Sequence, residues 1–523
     1  RISMSFLITI YILAALLLAL YAFNAWLLTF LYYKHRHESP PSPPRRQDEE
    51  LPPVTVQLPV FNEALVVERL IDAAVALEYP DELLQIQVLD DSTDETTGLA
   101  QEFVEYYRTR GVNITLIHRA DRAGFKAGAL SRGLKSASGE IIVIFDADFV
   151  PHPDFLRQTV PHFAANPTVG IIQTRWGHLN RWYSWLTAAQ ALALDGHFAV
   201  EQTARNRSGL LINFNGTAGL WRRSCIEEAG GWQGDTISED FDLSYRAQLA
   251  GWHCLFLRDV VAPAEIPPQL AAFKRQQFRW AKGSIQCLKK LGWRVARSSL
   301  AWPAKLQALV HISSYMVHPL MVVLALITPL LMMGEGTANI RFPLLYLSLL
   351  SLGPPTLYFV AQYSLNAQEW KRNYKAMPLL ILLGSGIALS NTKAVVEALL
   401  GVGSVFRRTP KFNVNATTDR WQNSRYRLPF DGLAVAELVF ALYSLLGAWF
   451  AAANGHLFAV PFILLYGLGF GYVGWLGLWD ARLDLRQLFK LRRAQNSGPT
   501  RGTSLTGAKV KGTTKVQSVN VHR

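Results

Sequence analysis

The sequence predicts an α/β domain with a mostly parallel sheet, inserted between membrane-spanning α-helices. Three observations predict it. Strand-like and helix-like segments alternate between residue 52 and about residue 303, the pattern of a sheet whose strands are joined by crossover helices. Apolar runs long enough to cross a bilayer stand on both sides of that stretch. Within it, short apolar segments stop abruptly at carboxylates, and the carboxyl ends of strands are where open α/β sheets bind their ligands.

In chain order, residues 5–33 carry no charge. About 20 residues at 1.5 Å each cross a hydrocarbon core of roughly 30 Å, so residues 1–33 are expected to form a transmembrane helix. The run is too long for a signal-peptide core. Lys34, His35, Arg36, His37, Arg45 and Arg46 follow it, which places its far end in the cytosol. Residues 34–307 then form the α/β unit. Val54–Val60 is a short apolar strand, residues 86–89 a second ending in Asp90-Asp91-Ser92, and residues 141–145 a third ending in Asp146-Ala147-Asp148. Five consecutive apolar residues suit a strand covered on both faces.

Two spans are expected within 308–364 (308–333 and 342–364) and two within 432–480 (432–453 and 457–480). The loop 334–341 is nearly uncharged and belongs outside. Lys371, Arg372 and Lys375 belong inside. Residues 377–404 are apolar but interrupted by Asn391, Thr392, Lys393 and Glu397. A sixth crossing there would put the basic loop 405–430 outside, against the charge rule, so an interfacial or re-entrant helix and five spans are expected in 365–431 and overall. Residues 481–523 are a basic tail, expected to be disordered.

Composition excludes several classes. Half the residues are apolar and 17% are charged, below the usual quarter of soluble proteins. The +13 net charge lies beside apolar spans, where anionic lipid accounts for it; no nucleic-acid module is present, so membrane lipids and not nucleic acid are the expected partners. Cys225, Cys254 and Cys287 form no CxxC pair, which argues against a disulfide framework or a zinc site. The N-x-[ST] sequons at Asn113, Asn206, Asn215 and Asn415 fall in segments placed in the cytosol.

Four polar clusters carry the chemistry. Asp146 and Asp148, two apart at a strand end, suit a shared Mg²⁺ or Mn²⁺ carried by a diphosphate, because hard ions prefer carboxylate and phosphate oxygens. By itself the triplet equally suits a turn, and Asp90-Asp91 a helix cap. Lys126, between Gly124 and Gly128, suits phosphate. Glu239-Asp240 opens a helix, where carboxylates compensate the dipole; alternatively one of them is a general base that takes a proton from an acceptor hydroxyl. Gln276, Arg279 and Trp280 share one helix face, with Arg suited to diphosphate oxygens and Trp to a sugar ring. Their joint occurrence, in order, points to one sugar-nucleotide site.

These residues resemble a membrane-embedded, processive family 2 glycosyltransferase of the cellulose synthase superfamily, whose pattern D, DxD, (T)ED, QxxRW stands complete here. The stretches 57–63, 87–94, 145–149 and 214–219 are most similar to the plant cellulose synthase-like A group, the mannan and glucomannan synthases. The resemblance implies a GT-A-type (Rossmann-like) cytosolic glycosyltransferase domain held between transmembrane α-helices, in the plasma or inner membrane. It implies nucleotide contacts from Asp90 and Asp91, metal–diphosphate contacts from Asp146 and Asp148, and Asp240 (with Glu239) as base. Gln276, Arg279 and Trp280 would surround the diphosphate and acceptor, and Phe214, Asn215, Gly216 and Thr217 the acceptor. Residues 406–411 are similar to the FxVTxK gating loop of bacterial cellulose synthases, giving Phe406, Thr409 and Lys411 that role, although Arg408 replaces the usual valine. The C-terminal cyclic-dinucleotide-binding barrel of those bacterial enzymes has no counterpart in this sequence. The implied reaction is inverting, metal-dependent transfer of a hexose from UDP-glucose or GDP-mannose to a growing β-linked polysaccharide, exported through the protein's own helices. The alternative is a non-processive transferase acting on diacylglycerol or a ceramide. The aromatic stretch containing Trp176, Trp182, Tyr183 and Trp185 favours the polymer. The motifs distinguish neither donor, and they leave the oligomeric state open.

Overall fold

A computed structural model describes residues 4–40, 51–332, 349–403 and 406–496. Its sheet has seven strands: β1 (Val54–Val60), β2 (Leu84–Asp90), β3 (Ile114–His118), β4 (Ile141–Ile144), β5 (Val169–His178), β6 (Gly219–Arg222) and β7 (His253–Ala264). They lie in the order β3-β2-β1-β4-β6-β5-β7. Pairings β1–β2, β1–β4, β2–β3 and β5–β7 are parallel, while β6 runs antiparallel to both β4 and β5. The mostly parallel sheet expected from the sequence is therefore present. β4 and β5, both opposed to β6, deliver their carboxyl ends to the same edge.

Burial explains why β4 reads as a continuous apolar run. Successive side chains point to opposite faces: Ile141 and Val143 join one core with Val67, Leu70 and Ile71, and Ile142 and Ile144 join another with Trp221 and Leu243. A polar residue at any of the four would lie in one core or the other.

Among the described residues four helices are long and apolar enough to cross a membrane, Met4–His35, Ser314–Met332, Leu433–Ala453 and Val460–Asp480, and the bent pair within 370–399 passes the same test when taken as one span. Residues 334–341, much of the expected 342–364 span and the tail from Ser497 lie outside the described residues; the helix Gly353–Leu365 covers the rest of that span. The last helix runs on to Asn496, so residues 481–496, expected as disordered tail, continue it. Their Ala, Leu, Arg, Lys and Gln content gives good helix propensity without a breaker.

Residues 377–404 form a pair of helices, Met377–Gly386 and Ala388–Leu399, in a segment bent by 43°. Two of the polar residues that interrupt this stretch, Asn391 and Glu397, have specific partners. Asn391 lies 2.9 Å from His318 of the Val317–Met332 helix, and Glu397 accepts from Lys282 at 2.7 Å. Lys282 belongs to the 28-residue helix Leu270–Arg297, which carries Gln276, Arg279 and Trp280. The same helix donates from Lys274 to Glu437 at 2.7 Å and from Lys289 to the carbonyls of Ala398 and Leu399 at 3.0 and 2.9 Å. It is the beam that joins the α/β domain to the apolar helices.

Candidate active site

The sheet edge at the ends of β4 and β5 opens into a cavity lined by Lys126, Asp146, Asp148, Asn215, Gly216, Thr217, Glu239, Asp240, Gln276, Arg279, Trp280, Phe406 and Lys411, all singled out from the sequence. At one end each carboxylate of the DxD triplet is held by a lysine. Lys126 Nζ lies 2.5 Å from Asp146 Oδ1 and donates to the Gly216 carbonyl at 2.9 Å; Lys411 Nζ lies 2.7 Å from Asp148 Oδ1. Burial by itself would lower both lysine pKa values. For Lys126 the charges of Asp146 and Glu239, and for Lys411 those of Asp148 and Glu63, raise them instead. The Asp146 N–H donates to the Thr217 hydroxyl at 2.8 Å, fixing the strand end against the segment that enters β6.

Glu239 and Asp240 open the helix Glu239–Leu249. In that first turn Asp240 Oδ1 accepts from the Phe241 N–H at 2.8 Å, while the third acidic residue, Asp242, is fully buried, accepts from Arg246 at 2.9 Å and pairs with Lys290 at 3.0 Å. Gly216 shows how close Asp240 stands to the cavity wall. At φ +83° it adopts a left-handed conformation, and a Cβ there would meet Asp240 Oδ2 at 2.7 Å. Gly283 likewise lets the Leu270–Arg297 helix press onto the turn before Glu239, where a Cβ would fall 1.9 Å from Ser238 Oγ. These contacts bring the acidic pair and the Arg279-Trp280 face to one cavity.

Burial and then the neighbouring Asp240 charge push the Glu239 pKa up to about 7, with Lys126 opposing; burial also raises that of Asp240. A general base must be unprotonated, so with either carboxyl in that role the acid limb of the kcat/KM profile should lie above the ordinary carboxylate range. Stability runs the other way. A carboxyl whose folded pKa exceeds its unfolded one stabilises below the unfolded value and loses that contribution as pH rises through about 7. A pH–rate profile that breaks near pH 4, with no opposing trend in thermal unfolding, would refute this arrangement.

The loop 406–411 enters the same cavity. Phe406 stacks on Phe125 with ring centroids 5.7 Å apart, and the Arg279 guanidinium lies 4.9 Å from its ring centre. Its departure from the valine of the gating pattern has a local cause: Arg408 lies 3.6 Å from buried Glu63 and over the Tyr426 ring at 4.5 Å. Beyond it, Glu265 accepts from the backbone N–H groups of Phe412 and Asn413 at 2.9 and 3.0 Å.

Four sequence-predicted residues do not line the cavity. Asp90 is buried, with its oxygens taken by the Ser92 N–H (2.9 Å), the Thr97 hydroxyl (2.6 Å) and His118 (2.8 Å). Asp91 is paired with Arg119 through both oxygens, at 2.7 and 2.5 Å. Phe214 is buried against Trp221, and Thr409, within the loop, is buried. Asn215 lines the cavity, but its amide is engaged by His197 (3.1 Å) and Gln202 (2.9 Å). Conversely, His178, Gln190 and Glu265 line it without having been singled out. Of the aromatic stretch, Trp176 alone among the four reaches the cavity; Trp182 packs under Arg372, Tyr183 bonds to the Asp419 carbonyl and Trp185 is exposed.

An α/β sheet edge that gathers paired carboxylates, a helix-borne acidic pair and a cationic–aromatic helix face describes a transferase that works on nucleotide sugars. The family model described as "Glycosyltransferase like family 2" matches residues 52–283. A rice (Oryza sativa subsp. japonica) protein described as probable glucomannan 4-beta-mannosyltransferase 7 is 34% identical over 451 residues, covering 81% of this chain and 74% of that one. Rice glucomannan 4-beta-mannosyltransferase 1 is 32% identical, covering 83% and 85%. Arabidopsis thaliana glucomannan 4-beta-mannosyltransferase 2 is 42% identical over 280 residues, 52% of each chain. A solved mannosyltransferase from Pyrobaculum calidifontis, in complex with GDP-Man and Mn²⁺, covers 75% of this chain and 99% of its own at 24% identity and a TM-score of 0.49, too distant to carry a substrate or a metal across. The chain belongs to glycosyltransferase family 2, in its cellulose synthase-like group, and is a hexosyltransferase.

Proposed function

We propose that the protein transfers mannose, with inversion, from GDP-mannose to a growing β-linked mannan or glucomannan chain at the cytosolic face of the plasma (or inner) membrane, and exports the product through its own helices. The observation that carries this reading is the meeting of Asp146, Asp148, Asp240, Arg279 and Trp280 in one cavity, closed on one side by the loop bearing Phe406 and Lys411. The names of the plant relatives favour mannose over glucose. The 43° bend between 370 and 399, and the lysine contacts that tie this segment to the Leu270–Arg297 helix, support an interfacial or re-entrant reading and hence five spans.

In this reading Asp240 accepts the proton of the acceptor hydroxyl as that oxygen attacks the anomeric carbon. A single base and no protein nucleophile give one displacement, hence inversion. Trp280 presents a flat apolar face to a sugar ring, and Arg279 and Lys126 bind diphosphate oxygens. Asp146 and Asp148 fit a divalent ion, because Mg²⁺ and Mn²⁺ are held in such sites by one or two carboxylates together with substrate phosphates. Bound there, the ion would offset charge on the departing diphosphate. Lys126 and Lys411, which now pair with the two carboxylates, would turn to the phosphates.

The test is the product. Purified protein incubated with labelled GDP-mannose and Mg²⁺ or Mn²⁺ should yield an alkali-stable polymer that a β-mannanase degrades. A single labelled glycolipid extractable into chloroform–methanol would instead establish the diacylglycerol or ceramide transferase. A polymer formed only from UDP-glucose would reassign the donor.

A further inference from the structure

We propose that His178 and Trp176 form an acceptor-positioning subsite that hydrogen-bonds a hydroxyl of the acceptor sugar; this rests on the transferase reading above. The two residues lie two apart near the end of β5, hence on one face of the strand, and both line the cavity. His178 is oriented from behind. Its Nε2 lies 2.8 Å from Asp195 Oδ1, and Asp195, itself buried, is also bound by Arg181 and by Gln362 Nε2 at 2.8 Å. A carboxylate bound in this way only accepts, so Nε2 carries the ring hydrogen and Nδ1 keeps its lone pair. Among the described residues Nδ1 has no protein partner, and the buried Nε1–H of Trp176 also has none. One free acceptor and one free donor on the same strand face match a sugar hydroxyl, which donates and accepts at once. An orphaned indole N–H at a cavity wall is costly unless something fills it.

Position selects the acceptor over the donor diphosphate. Ala264 pairs with His178 on one side and with Phe149 on the other. His178 therefore stands two inter-strand spacings, roughly 10 Å, from the chain next to Asp148. That separation leaves room for a sugar between His178 and the DxD carboxylates. Gln362 comes from the helix Gly353–Leu365, so the orientation of His178 depends on an element outside the α/β domain. Trp176 stood in the aromatic stretch read from the sequence, but nothing there pointed to His178: it is an isolated histidine at a strand end, and Asp195 and Gln362 are 17 and 167 residues away from their partners.

The experiment uses the full chain in lipid nanodiscs, with GDP-mannose saturating and β-1,4-mannotetraose as the varied acceptor. In His178→Ala the acceptor KM should rise about tenfold, the worth of one hydrogen bond in such a site, with kcat changed less than about threefold. The donor Kd should stay within about twofold. His178→Asn, which restores an acceptor atom, should recover part of the loss, and Trp176→Phe should raise the acceptor KM without moving the donor Kd. Asp195→Asn should raise it as well, and the double variant with His178→Ala should be no worse than His178→Ala alone. An unchanged acceptor KM in both His178→Ala and Trp176→Phe overturns the proposal. So does a rise in donor Kd instead, or a fall in kcat that tracks a lowered unfolding temperature. A wild-type protein that releases nucleoside diphosphate from neither GDP-mannose nor UDP-glucose overturns the transferase reading, and this one with it.

Discussion

Asp240→Asn should lower the rate of sugar transfer about 10³-fold, within the range lost when a positioned general base is removed, while the protein still folds and binds nucleotide sugar. The isosteric amide keeps the contact with the Phe241 N–H, 2.8 Å from Oδ1, and sits as close to Gly216 as the carboxylate does. What it cannot do is accept the hydroxyl proton. Glu239→Gln should cost much less, because it leaves Asp240, the group that takes the proton, and its buried setting in place. The measurement is nucleoside diphosphate release at matched protein, with unfolding temperature as the control. Turnover at the wild-type rate in Asp240→Asn would remove the base assignment and with it the single-displacement mechanism.

The second large effect concerns stability. Lys274→Met should destabilise the protein by about 3–5 kcal/mol, the usual cost of stranding one partner of a buried ion pair. Glu437 is fully buried in the Leu433–Ala453 helix, and Lys274 is its only cationic partner among the described residues. Asp431, the second partner of Lys274 at 2.9 Å, is nearly half exposed and can return to water. The double variant Lys274→Met/Glu437→Leu should recover most of the loss, since an apolar pair of similar volume can replace such a bridge. Thermal unfolding of the wild type and the two variants in one detergent decides the matter: a double variant as unstable as Lys274→Met would mean that packing, not the stranded charge, is responsible.

Three of the seven strands, β1, β2 and β4, were legible because each obeys a local rule. The run 141–145 is apolar throughout because both of its faces meet a core, and the carboxylates after β2 and β4 mark the end of that burial. The DxD, ED and QxxRW clusters were legible for a related reason, since each needs particular side chains at short spacing. What short spacing cannot show is which oxygens are already spoken for. Asp90 and Asp91 read as nucleotide contacts, yet hydrogen bonds to Thr97, His118 and Arg119 occupy them. The same limit hid Glu63 as the partner of Arg408, 345 residues downstream, and Glu265 as the anchor of the loop end. Asn391 and Glu397 looked like interruptions because their partners, His318 and Lys282, lie on other helices.

The beam helix has a mechanical consequence. Its three lysine grips at 274, 282 and 289 bracket Arg279 and Trp280 over about 22 Å of rise. Trp280 is thus held in register with elements that face lipid as firmly as with the sheet edge. Bilayers differ in thickness by a few Å, and apolar helices answer such differences by tilting. On the membrane-embedded reading, a tilt of the Leu433–Ala453 helix would be felt through Glu437 at Lys274, six residues before Trp280 on the same rod, and bilayer thickness would then bear on the proposed sugar platform.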